Sequence, residues 1–157
     1  MTAKLAAGDK APAFSLPRDG GGKLSLAAVK GKPLVLYFYP KDDTSGCTKE
    51  AIEFTELRKD FEKAGAVVAG VSPDSVAAHD KFVKKHKLGV ALLSDESKTM
   101  LEAYGVWVEK SMYGKKYMGV ERTTFLIDAK GKIVRVWNKV KVPGHAQEVL
   151  AAVKELA

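Results

Sequence analysis

Six consecutive residues, Leu34-Val35-Leu36-Tyr37-Phe38-Tyr39, are aliphatic or aromatic without interruption, and Pro40 ends the run. A strand with one wet face alternates apolar and polar side chains. An unbroken run instead belongs to a strand covered on both faces. Proline has no N–H to give to a ladder, so the strand stops there. A helical pattern from about Ser45 to Lys63 follows, closed by Ala64-Gly65 as helices commonly are. A second apolar strand, Ala66–Val71, comes next. The stretch from Leu34 to Val71 therefore reads as a βαβ unit, which crosses over right-handed.

The rest of the chain extends this frame. Asp74–His86 reads as a helix entered through Ser72-Pro73, Val90–Leu93 as a short strand and Glu96–Tyr104 as a short helix. Val106–Val120 shows no clear period and is expected to be loop with some strand. Thr123–Asp128 and Lys132–Trp137 flank the turn Ala129-Lys130-Gly131 and make a hairpin, and His145–Leu156 is a last amphipathic helix. Near the amino terminus, Ala13–Leu16 and Lys23–Leu26 flank Gly20-Gly21-Gly22, a second hairpin signal. The pattern predicts an α/β fold with a central mixed β-sheet flanked by helices and an N-terminal β-hairpin. That is the thioredoxin-like arrangement, although pattern alone admits other α/β folds.

The chain has 157 residues, expected to form one domain over 1–157. A domain of that size buries roughly 70% of the surface its unfolded chain exposes, enough to fold without a disulfide or metal. Cys47 is the only cysteine, so no internal disulfide can form, which argues against a small secreted scaffold. The opening MTAKLAAGDKAPAF has no apolar core of signal-peptide length. The run ending at Tyr39 is too short to span a membrane. The cytoplasm is the expected address. The formal charge of +7 invites a nucleic-acid partner. Yet the lysines are dispersed, and even Lys84-Lys85-His86-Lys87 and Lys115-Lys116 sit among acidic and apolar residues. A solvated basic surface is the better reading, with no nucleic acid and no membrane as partner.

Chemistry concentrates at Cys47. It follows the polar turn Lys41-Asp42-Asp43-Thr44-Ser45-Gly46 and falls in the first turn of the predicted helix. With Thr44 or Ser45 as N-cap, its neighbours are N–H groups lacking intrahelical partners. Their partial positive charge favours an anion, so a thiolate there is nucleophilic at neutral pH. Gly46 lets a ligand approach the backbone with no Cβ in the way. Cys47, Ala51, Phe54 and Phe61 fall near one helical face, which sets the sulfur at the edge of the apolar interior. A lone cysteine is also commonly just a small buried hydrophobe, and both readings stand at this point. The absence of C-x-x-C removes a dithiol exchange enzyme.

Pro40-Lys41-Asp42-Asp43-Thr44-Ser45-Gly46-Cys47 resembles the P-x-x-x-T-x-x-C signature of peroxiredoxins, and Thr48-Lys49-Glu50 continues it as in the Q type, or bacterioferritin comigratory proteins. Glu121-Arg122-Thr123-Thr124-Phe125-Leu126-Ile127-Asp128 resembles that subfamily's arginine strand. Lys139 to Ala146 and Gly8 to Phe14 are similar to its closing and opening segments. The resemblance implies a thiol peroxidase that needs no cofactor or metal. In it Cys47 attacks one peroxide oxygen and becomes a sulfenic acid. Thr44 is expected to place its hydroxyl beside the sulfur, where it donates to the thiolate or accepts from the peroxide. Arg122 is expected to arrive from a distant strand, favouring the thiolate and holding the peroxide with its fixed fork. Pro40 and Gly46 would shape the substrate pocket, and Glu50 would orient Arg122. Taken singly, Pro40 reads as a strand stop and Glu50 as a solvated helical carboxylate.

Two departures matter. Ser45 stands where the family more often has proline, which loosens the turn. The positions that carry a resolving cysteine in many Q-type members are Ile52 and Val83 here. The sulfenic acid therefore has to be resolved by an external thiol such as thioredoxin, glutaredoxin or glutathione, and lies open to further oxidation. A monomer or weak dimer is expected. The alternative is a peroxide-sensing relay or binding protein with little turnover. His79 and His86 lie on one predicted helix and read as two solvated histidines, since no further metal ligands stand out. His145 reads as structural, and Trp107 and Trp137 as core or sheet-edge aromatics.

Overall fold

The computed structural model describes residues 5–156; the first four residues of the amino-terminal stretch read above lie outside it. In chain order the elements are β1 (Ser15–Pro17), β2 (Lys23–Ser25), β3 (Leu34–Phe38), α1 (Ser45–Glu56), α2 (Arg58–Lys63), β4 (Val67–Ser72) and α3 (Val76–His86). Then come β5 (Ala91–Ser94), α4 (Thr99–Ala103), β6 (Trp107–Met112), β7 (Lys115–Val120), β8 (Thr123–Ile127), β9 (Ile133–Trp137) and α5 (His145–Glu155).

The central sheet has the order β5-β4-β3-β8-β9. β3 pairs in parallel with β4, and β4 with β5. The β3–β8 and β8–β9 pairs are antiparallel, so the sheet is mixed. β3 lies in the middle, and every one of its residues is buried. Its side chains alternate between two apolar layers. Val35, Tyr37 and then Tyr39 face Ala51, Phe54, Phe61, Phe82 and Val149 of the helices. Leu34, Leu36 and Phe38 face Met100, Leu101, Tyr104 and Phe125. The unbroken apolar run is thus the signature of a strand with no wet face. The amino-terminal hairpin pairs Ser15–Pro17 with Lys23–Ser25 across the triple glycine.

Two sequence expectations change. The long helix predicted over 45–63 is two helices, broken at Leu57 (φ −96, ψ 6). Side chains draw on the helical carbonyls at that point. The Thr55 hydroxyl donates to the Ala51 carbonyl at 2.7 Å, and Arg58 Nη1 to the Thr55 carbonyl at 3.3 Å. Such back-bonding bends helices. Val106–Val120 is mostly regular: β6 and β7 form their own two-stranded ribbon, turning at Tyr113-Gly114 with φ of 51 and 77. Positive φ at both turn residues suits the twist of a tight hairpin. Its outer half is exposed on both faces, so it carries no apolar alternation to read.

Sheet register positions the site. Antiparallel pairing sets Phe38 opposite Thr123. The chain leaving β3 toward α1 therefore lies beside the chain entering β8. Arg122 is the residue just before β8.

Candidate active site

Thr44 is the N-cap of α1 (φ −89, ψ 157), and its carbonyl accepts the first helical bond from Thr48 N–H at 2.9 Å. Cys47 is thus the third helical residue. Among the described residues, no side chain caps this helix, which leaves its first amides for another acceptor. The Thr44 hydroxyl donates to the Lys41 carbonyl at 2.9 Å. Its hydrogen is therefore directed away from donation to the sulfur, and its oxygen remains an acceptor.

Cys47 is 1% exposed and sits in the helix-side apolar layer with Ala51 and Phe54. Arg122 reaches it from across the fold: Nη2 donates to Sγ at 3.2 Å, while Nη1 donates to Glu50 Oε1 at 2.6 Å. Arg122 stands in the short link between β7 and β8, so the expected strand position is corrected by one residue. Its own carbonyl accepts from Val140 N–H at 2.9 Å, which fixes the link. Gly46 has a concrete reason to lack a side chain. A Cβ there would lie 3.2 Å from Arg122 Nη2, so the guanidinium would have to give by a few tenths of an ångström.

Glu50 is no solvated carboxylate. It is 1% exposed and faces the body of the protein one turn after Cys47. Burial pushes its pKa up to about 7, against the opposing pull of Arg122. Its second oxygen, Oε2, makes no hydrogen bond among the described residues, as suits a carboxyl that carries a proton for part of the time. Two acidic groups thus share one guanidinium. Pro40 lies half-buried at the other end of the turn. Ile52 and Val83 both pack on the helix-side layer. An open groove of about 560 Å³, lined by Val108, Lys110, Tyr117, Glu121 and Lys139, reaches Arg122.

His79 corrects a further expectation. It is fully buried, not solvated. Nδ1 lies 2.6 Å from Asp42 Oδ2 and Nε2 lies 2.9 Å from the Leu93 carbonyl. The other Asp42 oxygen accepts from Tyr39 O–H at 2.6 Å. His86 is partly exposed and bonds Asp43 Oδ1 at 2.8 Å. His145 is buried against Thr124 Oγ1 at 2.8 Å. Sequence reading missed Tyr39, Asp42 and His79 as a unit. The one available signal was His79 sharing a helical face with Phe82, which points inward. Among the described residues no acidic, histidine or cysteine cluster could hold a metal, and no helix is long and apolar enough to cross a membrane.

Known proteins resemble this chain over nearly its whole length. The AhpC/TSA family description matches residues 7–136. Peroxiredoxin Bcp of Bacillus subtilis is 47% identical over 150 residues, 96% of each chain. A structure of Xanthomonas campestris peroxiredoxin Q superposes with a TM-score of 0.90 at 45% identity, covering 97% of this chain and 99% of that one. A structure of the Xanthomonas campestris bacterioferritin comigratory protein, described for its alkyl peroxide reduction activity, gives 0.89 at 43% identity over 99% of both chains. A sensing relay with little turnover is not favoured by these relatives. With its fold, its cysteine at a helix start and its full-length likeness to Bcp proteins, the chain belongs to the AhpC/TSA family as a peroxiredoxin of the Q (Bcp) type, a thiol-dependent peroxidase with no resolving cysteine of its own.

Proposed function

We propose that Cys47 is the nucleophile that reduces hydrogen peroxide and alkyl hydroperoxides, with Arg122 as its electrostatic partner. The observation that carries this is the 3.2 Å contact from Arg122 Nη2 to Sγ at the start of α1. The thiolate attacks the terminal peroxide oxygen. An S–O bond forms as the O–O bond breaks, sulfur is oxidised to the sulfenic acid, and the leaving oxygen takes a proton to depart as water or an alcohol. Negative charge moves from sulfur to the leaving oxygen during this step. The Arg122 fork and the free Gly46 and Cys47 amides are fixed donors for that charge, which costs no reorganisation at the moment of reaction. The Thr44 oxygen, its own hydrogen held by Lys41, accepts from the hydroperoxide O–H. Pro40 bounds the pocket, and Glu50 holds the other arm of Arg122.

The sulfenic acid is then attacked by an external thiol. Water leaves, a mixed disulfide forms, and a second thiol releases Cys47. Thioredoxin, glutaredoxin and glutathione are the candidate reductants, and alkyl hydroperoxides enter as substrates by likeness to the Xanthomonas campestris protein. The test is peroxide consumption by wild type and Cys47→Ser with each reductant. Loss of essentially all turnover in the variant is expected, and wild-type turnover in Cys47→Ser would overturn the reading.

A further inference from the structure

The turn from Pro40 to Thr44 that leads into α1 is not a free loop. Asp42 and Asp43 lie at its centre, and Asp43 adopts φ 61, a left-handed conformation that costs a side chain energy. Three carboxylates hold that shape. The Asp43 carboxylate accepts from Lys85 Nζ at 2.7 Å and bonds His86 Nε2 at 2.8 Å. Asp42 N–H donates to Asp74 Oδ2 at 2.9 Å. The Asp42 carboxylate meets His79 in the interior, where the two side chains are 6% and 0% exposed.

The protonation of that pair follows from its partners. The Leu93 carbonyl can only accept, so His79 Nε2 carries a hydrogen. Asp42 Oδ1 accepts from the Tyr39 hydroxyl, and Oδ2 lies 2.6 Å from His79 Nδ1, so one proton lies between the two. The direction of the His79 pKa places that proton on the ring, as an imidazolium. Burial opposes the charge, yet the hydrogen bond and charge of Asp42 outweigh it and raise the His79 pKa. The other titratable groups around the pair are Tyr39 beside β3, Asp43 in the turn, Asp74 before α3, and Lys85 and His86 on α3 itself. A buried pair is weak evidence for net stability, because desolvation offsets attraction; its best-attested use is to fix one geometry.

We propose that Asp42 and His79 are positioning residues for the peroxide step: their buried ion pair, with the Tyr39 hydroxyl, holds the turn between Pro40 and Thr44 in the shape that presents Thr44 and the first amides of α1 to the hydroperoxide. The inference rests on the reading of Cys47 as nucleophile. Its pH consequence has a definite sign. A histidine whose pKa is raised by a partner is paired below that value and loses the pair as pH rises through it. The peroxide step should therefore decline on the alkaline side, although alkali favours the thiolate.

The experiment is single-turnover oxidation of the reduced full chain by hydrogen peroxide in stopped flow, across pH, for wild type, His79→Gln, Asp42→Asn and the milder Tyr39→Phe. A displacement of about 1 Å at a reacting centre can cost a hundredfold. His79→Gln and Asp42→Asn should be slower by about tenfold or more near neutrality, and the alkaline decline should vanish in His79→Gln. Tyr39→Phe, which keeps its ring in the core, should slow the step in the same direction by a smaller factor. Leu36→Ala, a core truncation in the layer opposite the sulfur, serves as the control for general loosening. It should lower the melting temperature and leave the pH profile unchanged. Wild-type rates in the pair variants, persistence of the alkaline decline in His79→Gln, or its loss in Leu36→Ala would overturn the proposal. If wild type itself were inert to peroxide, the reading of Cys47 would fall with it; an active wild type matched by its variants would remove only the role of the pair.

Discussion

At the scale of single residues, one guanidinium serves two acids. Arg122 bridges the Cys47 sulfur and the Glu50 carboxyl at 3.2 and 2.6 Å, so any charge on Glu50 competes with the thiolate for the same fork. Arg122→Lys keeps a charge but loses the planar two-armed geometry. It should slow the peroxide step by about a hundredfold, of the order seen when one fixed donor to developing charge is removed. Stopped flow with hydrogen peroxide would read the rate. Glu50 and His145 also tilt stability with pH in opposite directions. Folding raises the Glu50 pKa from 4.5 to about 7. The folded chain thus holds the extra proton in that window, and stability falls as pH rises through it. Burial lowers His145 from 6.5 to about 4, so there the unfolded chain holds the extra proton, and stability rises with pH. Urea unfolding at a series of pH values should show a steeper rise from about pH 4.5 to 6.5 in Glu50→Gln than in wild type. The reverse change is expected in His145→Gln.

At the scale of elements, the start of α1 gives up local stability for access. Glycine inside a helix costs up to about 1 kcal/mol relative to alanine, and Gly46 is the second helical residue. Gly46→Ala should therefore leave the melting temperature unchanged or raise it. Its Cβ, 3.2 Å from Arg122 Nη2, should press the guanidinium aside by a few tenths of an ångström and slow the peroxide step by about threefold, since misplacement by 1 Å costs up to a hundredfold. Thermal melts and stopped flow on one preparation would separate the two effects. The break at Leu57 is an element-scale event of the same kind. Side-chain bonds from Thr55 and Arg58 draw on the helical carbonyls there, and α2 restarts to bring Phe61 into the helix-side layer.

At the scale of the molecule, β3 joins two cores that share one sheet. Leu36 lies in the layer of Phe125 and Tyr104, away from the helices that carry Cys47. It is fully buried. Leu36→Ala should cost about 2–5 kcal/mol from lost burial and the cavity left behind. Because the sulfur faces the other layer, the rate per folded molecule should change little. Chemical denaturation and active-site titration with peroxide would check both parts. The same sheet explains how parts distant in sequence become one site. Pairing of Phe38 with Thr123 delivers Arg122 to the start of α1, and β5 delivers the Leu93 carbonyl to His79.

Local pattern alone determined much of this protein. The unbroken run from Leu34, the glycine tips and the helical periods specified the sheet, most helices and the hairpins, because burial on one or both faces writes its period into the chain. Cys47 at a helix start was legible for the same reason, and Thr44, Arg122 and Glu50 entered through the resemblance that their motifs carry. Three features had no local signature. Residues 106–120 form a ribbon exposed on both faces over its outer half, so no hydrophobic alternation marks it. Glu50 and His79 look like ordinary polar residues of a helix. Only packing decides that one is buried against Arg122 and the other against Asp42. Ionisation, hydrogen-bond partners and the reach of a guanidinium depend on distances across the fold, and such distances are set when the sheet closes, not by neighbours in sequence.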